Sequence, residues 1–116
     1  FAKWRVGKRR YFPDIIEIYS EDQHYLFDNK QFEAVLCLEV LMHVPDPIKT
    51  LKLLYSHLKI NGFLFLTHRF TGNYSLALEQ NQHFEQNIDH ILFEVGFSLV
   101  EKIFVWEGKD VCVYKK

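Results

Sequence analysis

The apolar residues of this chain fall into short blocks whose spacing changes between strand-like and helix-like. Phe32 to Leu38 is an almost uninterrupted apolar run, the pattern of a strand covered on both faces in a parallel sheet. Asp46-Pro47 follows. An Asp can cap the free N–H groups of a helix start, and Pro fits the first helical position, where its missing N–H would be unpaired anyway. Ile48, Leu51, Leu54, Tyr55 and Leu58 then recur at spacings of three and four, which predicts one apolar stripe on a helix. Asn61-Gly62 is expected to end it, since both residues tolerate the left-handed conformation that closes a helix. Phe63 to Thr67 reads as a second buried strand. The order strand, helix, strand is a βαβ unit.

Upstream of that unit, Phe1 to Arg10 reads as the tail of a helix, with Phe1 and Trp4 inward and its cations outward. Phe12-Pro13-Asp14 predicts a turn, and residues 14–19 (DIIEIY) a strand rich in β-branched residues. Ser20 to Gln31 is polar and without period, a loop anchored by Tyr25-Leu26-Phe27. Downstream, Thr71-Gly72-Asn73 is a turn signal. Phe84, Ile88, Ile91, Leu92 and Val95 predict a second amphipathic helix closed by Gly96. Ser98 to Trp106 and Asp110 to Tyr114 read as two strands. The Glu107-Gly108-Lys109 link between them is of hairpin length and implies antiparallel pairing. The whole, residues 1–116, reads as a single α/β domain without repeats or linkers.

Composition narrows the class of protein. Hydrophobic content of 48% and aromatic content of 16% exclude a disordered chain. The net charge is −1, but Lys3, Arg5, Lys8, Arg9 and Arg10 crowd the first ten residues and leave the remainder acidic. No aromatic stacking platform accompanies that basic decamer, so it reads as a solvated helix face and a nucleic-acid partner is not expected. No apolar run approaches the roughly 20 residues that a membrane span needs. Cys37 and Cys112 each sit inside a predicted strand, with no CxxC and no His at ligand spacing. Two buried thiols in a reducing cytoplasm are the expectation. His24, His57, His83 and His90 are scattered and show no metal-ligand spacing, so no metal site is expected.

The segment FxxVxCLEVLxHVPDP, followed by a helix and LKxNGFLFLT, resembles the second half of a class I S-adenosylmethionine-dependent methyltransferase. In that family strand four commonly reads FDxVxxxxVLEHVxDP, and strand five follows a KPGG turn. Here Glu33 stands for the usual Asp, Met42 for the usual Glu, and Lys59-Ile60-Asn61-Gly62 for KPGG. The opening FAKWRVGKRR resembles the helix after strand two in one bacterial subgroup. The closing hairpin resembles the family's strands six and seven. The resemblance implies a Rossmann-like sheet in the order 3-2-1-4-5-7-6, here incomplete. The chain contains no GxGxG, so the family's first strands and Gly-rich loop are expected upstream. Strand four would then present a bare apolar edge, which invites pairing with another copy.

Ligands of open α/β sheets bind outside the carboxyl ends of the strands. Three segments reach that edge. In Ser20-Glu21-Asp22-Gln23, the resemblance places Glu21 or Asp22 beside the cofactor's adenine; the plain alternative is a solvated acidic loop. In Cys37-Leu38-Glu39-Val40, it implies that main-chain carbonyls receive the cofactor's ammonium, with Leu38 and Val40 alongside. Glu39 would add a negative field for the sulfonium, or merely cap the next turn. In Thr67-His68-Arg69-Phe70, where the family's substrate loops sit, His68 is a candidate base, as is His43 across the cleft; each has a structural or substrate-positioning alternative.

Three functional readings follow. The first is methyl transfer from S-adenosylmethionine to a small-molecule acceptor, with this chain as the C-terminal part of the catalytic domain. The second is a non-catalytic methyltransferase-like binding or scaffold module, kept open by Met42, Asn61 and the missing Gly-rich loop. The third, half of a dinucleotide-binding oxidoreductase, is disfavoured by the terminal antiparallel hairpin.

Overall fold

A computed structural model describes residues 29–69, 78–106 and 109–116. The basic decamer, the expected strand at 14–19, Glu21, Asp22 and the Thr71-Gly72-Asn73 turn lie outside the described residues. Residues 31–116 form one compact unit. Its elements run β1 (Phe32–Cys37), α1 (Pro47–His57), β2 (Leu58–Leu66), α2 (Ile88–Val95), β3 (Ser98–Trp106) and β4 (Lys109–Lys115), with 3-10 turns at Leu41–His43 and Glu79–Gln86. The four strands make one sheet in the order β1-β2-β4-β3. β1 and β2 are parallel, whereas β4 is antiparallel to both β2 and β3. This is the 4-5-7-6 half of the sheet that the resemblance implied.

The start of α1 is built as its sequence predicts. Asp46 Oδ1 accepts from the backbone N–H of Lys49 at 2.9 Å, and Pro47 opens the first turn. Leu51 and Leu58 are fully buried, with Ile48, Leu54 and Tyr55 half-buried beside them. The helix end differs from expectation. α1 stops at His57, Leu58 turns extended, and β2 begins at once rather than at Phe63. Asn61 is left-handed, at φ 64°, but it sits inside β2. There the register jumps from Phe32 opposite Leu58 to Ala34 opposite Phe63, so Lys59-Ile60-Asn61-Gly62 is an irregular bulge in the strand. A Cβ on Gly62 would stand 2.8 Å from the Lys59 carbonyl, which leaves room only for glycine. The last residue fastens the corner. Lys116 Nζ donates to the carbonyls of Tyr55 (2.6 Å) and Leu58 (2.7 Å), a cation at the negative end of α1.

The second predicted helix is broken. Asn87 interrupts it, so Phe84 lies on the preceding 3-10 segment and α2 runs only from Ile88. Gly96 closes it as expected, at φ 115°, with its N–H on the carbonyls of Leu92 and Phe93. The hairpin forms with Lys109 already in β4.

Leu64 and Leu66 of β2, Cys112 and Tyr114 of β4, Leu51 of α1 and Leu92 of α2 share one core. Each buried Leu contributes roughly 1.5–3 kcal/mol. The opposite side of the sheet is not covered by these helices. Leu36 is 68% exposed, which corrects the expectation that β1 is buried on both faces. β1 also ends at Cys37, one residue early, and Leu38 leaves the sheet. Among the described residues, no helix is long and apolar enough to cross a membrane.

Candidate functional site

The carboxyl ends of the parallel strands β1 and β2 lie side by side, and the chain turns sharply as it leaves β1. Glu39 adopts φ 57°, a left-handed conformation that costs a side-chain-bearing residue about 1–2 kcal/mol. Two bonds hold it there. The Glu39 N–H donates to Thr67 Oγ1 at 2.6 Å, and the Thr67 N–H donates to the Cys37 carbonyl at 3.3 Å. Thr67 is buried, whereas Leu38, Glu39 and Val40 are exposed. Strain held at a strand end by an interlocked neighbour is the kind that clusters at ligand clamps.

Val40, not Glu39, occupies the cap position of the 3-10 turn that follows, and its carbonyl accepts from the His43 N–H at 2.9 Å. Two carbonyls of the loop, those of Cys37 and Val40, are therefore committed within the protein. Leu41 and Met42 plunge into the core, so Met42, where the resemblance expects Glu, is an apolar anchor. Asn81, itself buried, ties the same loop down: its side-chain amide donates to the carbonyls of Met42 (3.2 Å) and Val44 (2.8 Å).

A second group of residues lies past the end of β2. His68 is half-buried, and its Nε2 stands 3.4 Å from the Tyr114 hydroxyl. That hydroxyl donates to Asp89 Oδ1 at 2.8 Å, and Lys102 Nζ is 3.6 Å from Asp89 Oδ2. Burial pulls the His68 imidazole below its ordinary value, a shift only partly offset by the carboxylates of Asp89 and Glu85. Burial first, then the bond to Asp89, pushes the Tyr114 phenol up. His68, Arg69, Glu85, Lys102, Asp110 and Cys112 line a cavity of about 250 Å³.

Leu38, Glu39 and Val40 follow directly on the carboxyl end of β1 and are exposed there. His43 is exposed at the end of its 3-10 turn, whereas His68 lines the cavity. Thr67, Asn81, Asp89 and Tyr114 have roles that the sequence alone does not reveal. A Tyr within the aliphatic strand β4 and an Asp in the first turn of α2 are the only linear signals of that network. Burial pushes the Cys37 thiol up to about 11, and Cys112 upward as well. Both are free and buried, as the sequence predicts.

A cationic, amphipathic ligand suits the loop after β1: an exposed acid between two exposed apolar residues, next to main-chain oxygens. S-adenosylmethionine, with its sulfonium and ammonium, has that chemistry, so the residues present fit it.

Residues 7–102 match the family model of the methyltransferase domain. The chain is 35% identical to the tRNA U34 carboxymethyltransferase of Wolinella succinogenes, over 64% of this chain and 31% of that protein. It is 38% identical to the ubiquinone biosynthesis O-methyltransferase of Glaesserella parasuis (39% and 19%) and 43% identical to that of Xanthomonas campestris pv. campestris (40% and 20%). It thus spans less than a third of the length of these relatives. The crystal structure of EvdMO1 is similar over 77% of this chain and 22% of that one, at 22% identity and a TM-score of 0.48. With its residues 7–102 matched to the domain model, the chain belongs to the methyltransferase domain family, as a region of the class I S-adenosylmethionine-dependent type.

Proposed function

We propose that the protein transfers a methyl group from S-adenosylmethionine to a small-molecule acceptor, and that this chain is the C-terminal part of its single catalytic domain. The observation that carries the reading is the Glu39 turn, held left-handed by Thr67 at the carboxyl edge of the parallel pair. Leu38 and Val40 would line the cofactor, and Glu39 would set a negative field beside its cationic centre. The bound cofactor supplies an activated methyl group for in-line displacement. The protein's share is then alignment and exclusion of water, to which the Asn81 clamp and the buried Leu41-Met42 anchor contribute rigidity. The relatives' names point to different acceptors, a tRNA in one case. Beyond the first ten residues this chain is net acidic, which disfavours a phosphate backbone and supports a small acceptor. Two buried free thiols suit a cytoplasmic protein.

Calorimetry with the intact protein tests the proposal. Glu39→Gln keeps the shape and removes the charge, so it is expected to weaken S-adenosylmethionine roughly tenfold while the neutral thioether S-adenosylhomocysteine loses less. Equal losses for both ligands reject the field argument. Failure of the intact protein to bind either ligand rejects the methyltransferase reading. Residues 1–116 alone are expected to show no binding at micromolar cofactor.

A further inference from the structure

The segment that precedes α2 reaches back to the loop after β1 through four hydrogen bonds, all donated in the same direction. The Leu78 N–H donates to the Met42 carbonyl at 3.1 Å, and Gln80 Nε2 donates to the Pro45 carbonyl at 3.3 Å. Asn81 Nδ2 donates to the carbonyls of Met42 (3.2 Å) and Val44 (2.8 Å). A buried amide is costly unless its donors are met, and Asn81, at 1% exposed, gives both of its hydrogens to that loop. The acceptors follow directly on Leu38–Val40, because Val40 is the cap of the 3-10 turn that carries Met42. On the same 3-10 segment as Asn81, one turn further on, Glu85 lines the cavity that His68 also lines. One short element is therefore bonded to the loop after β1 at one end and walls the cavity at the other.

From this geometry we propose that Leu78–Gln86 is a latch that couples the two places: a ligand on Leu38–Val40 holds the four bonds closed, and the closed latch sets Glu85 in the cavity wall. The inference rests on the methyltransferase reading, since the ligand that closes the latch is the cofactor proposed there. Asn81 is a positioning residue, acting on the loop through Met42 and Val44. The two states of the latch differ in whether its bonds to Met42, Val44 and Pro45 are made. Leu38, Glu39 and Val40 are exposed, and a ligand that packs on all three needs them in one arrangement. The closed latch supplies it by fixing the residues that follow. The cofactor thus binds the closed state more tightly, which is what a ligand needs in order to shift an equilibrium. By reciprocity, a molecule in the cavity that favours the closed position of Glu85 tightens the cofactor by the same factor. For a reaction with two substrates, the cavity wall is then completed only when the methyl donor is in place.

The test uses the intact protein and saturating S-adenosylhomocysteine, with His68 as the reporter. Its imidazole senses Glu85 beside Asp89, Lys102, the Tyr114 hydroxyl and its own backbone carbonyl. Closing the latch fixes the Glu85 carboxylate nearby, so the ligand is expected to raise the His68 ring titration, followed by NMR, by roughly half a unit. Asn81→Ser is too short to span both carbonyls, and Glu85→Gln keeps the shape and removes the charge. Each is expected to abolish the response while the ligand still saturates. Glu85 is half-buried, so Glu85→Gln decides the matter if Asn81→Ser does not fold. Amide exchange gives a second reading: the ligand is expected to slow exchange of the Leu78 N–H roughly tenfold in wild type. An unchanged His68 titration or an unchanged Leu78 exchange rate in ligand-bound wild type overturns the latch. A response that persists in either variant shows a direct field from the ligand and overturns it as well. In all of these outcomes the ligand binds and the methyltransferase reading stands, whereas a wild type that binds no S-adenosylhomocysteine overturns both.

Discussion

The backbone N–H of Glu39 and the hydroxyl of Thr67 lie 2.6 Å apart, and this bond, with that from the Thr67 N–H to the Cys37 carbonyl, ties the carboxyl ends of the two parallel strands together. Thr67 is buried, so a Val of similar shape in its place leaves the strained Glu39 N–H without its acceptor. Thr67→Val is expected to cost about 1–3 kcal/mol and to weaken S-adenosylhomocysteine binding, whereas Thr67→Ser retains both. Urea denaturation and calorimetry on the intact protein check this. An unchanged midpoint in Thr67→Val shows that the turn does not depend on the bond.

Gly96 and Tyr55 make a tighter contact than any side chain would allow. Gly96 closes α2 at φ 115°, and a Cβ there would stand 2.8 Å from the Tyr55 ring and hydroxyl. That ring is fixed edge-on against Phe97, with centroids 5.1 Å apart. Gly96→Ala therefore meets both a left-handed backbone and a clash, and a loss of about 1–3 kcal/mol is expected. Tyr55→Leu in the same chain should recover the clash component only. Full recovery in the double variant means that the backbone angle costs nothing.

The sequence was most informative where one residue decides a local geometry. Asp46-Pro47 could only open a helix, and Gly96 could only close one, because capping and left-handed backbone are short-range chemistry. The strand order was also legible through the resemblance, since a hairpin after a βαβ unit has few homes. Asn61 shows where such reasoning stops. Its left-handed angle was foreseeable, but whether it ends a helix or bulges a strand depends on Lys116, which pairs its backbone with Asn61 and Gly62 from the far end of the chain. The His68–Tyr114–Asp89 chain was illegible for the same reason. Its members lie past the end of β2, on α2 and on β4, and meet only when β4 inserts between β2 and β3.

Asn81 gives a prediction of opposite character, in which a polar residue outperforms an apolar one in a core. It is 1% exposed and bonds the carbonyls of Met42 and Val44. Met42 also accepts from the Leu78 N–H, so Val44 is the carbonyl left bare in Asn81→Leu. The expected loss is about 1–3 kcal/mol. Asn81→Asp places a carboxyl where two carbonyl oxygens repel its charged form, which raises its folded pKa. Its stability should accordingly fall as pH rises from about 4 to 8. Guanidinium curves at both pH values decide it, and a pH-independent Asp variant would show that the site rearranges.

Cys37 sets a limit on stability at the alkaline end. Burial pushes its thiol from 9.0 up to about 11, so the folded protein holds the proton more tightly than the unfolded chain does. Below pH 9 both states keep the thiol neutral, and the stabilisation is fully present. As pH rises from 9 through about 11 the unfolded chain ionises first, and up to about 2–3 kcal/mol of stability is lost. Cys112 and Tyr114 are shifted in the same direction, so they add to the fall rather than mask it. Cys37→Ala lowers the starting stability by leaving a small void, but it removes one titrating group and should flatten the alkaline slope. The measurement is the urea midpoint of wild type and Cys37→Ala across that range. Parallel slopes would mean that the thiol ionises in the folded state as readily as in the unfolded one. Alkylation gives an independent reading of the same shift: at pH 8 the native Cys37 should react with iodoacetamide far more slowly than it does in urea. Equal rates would contradict the burial that the shift rests on.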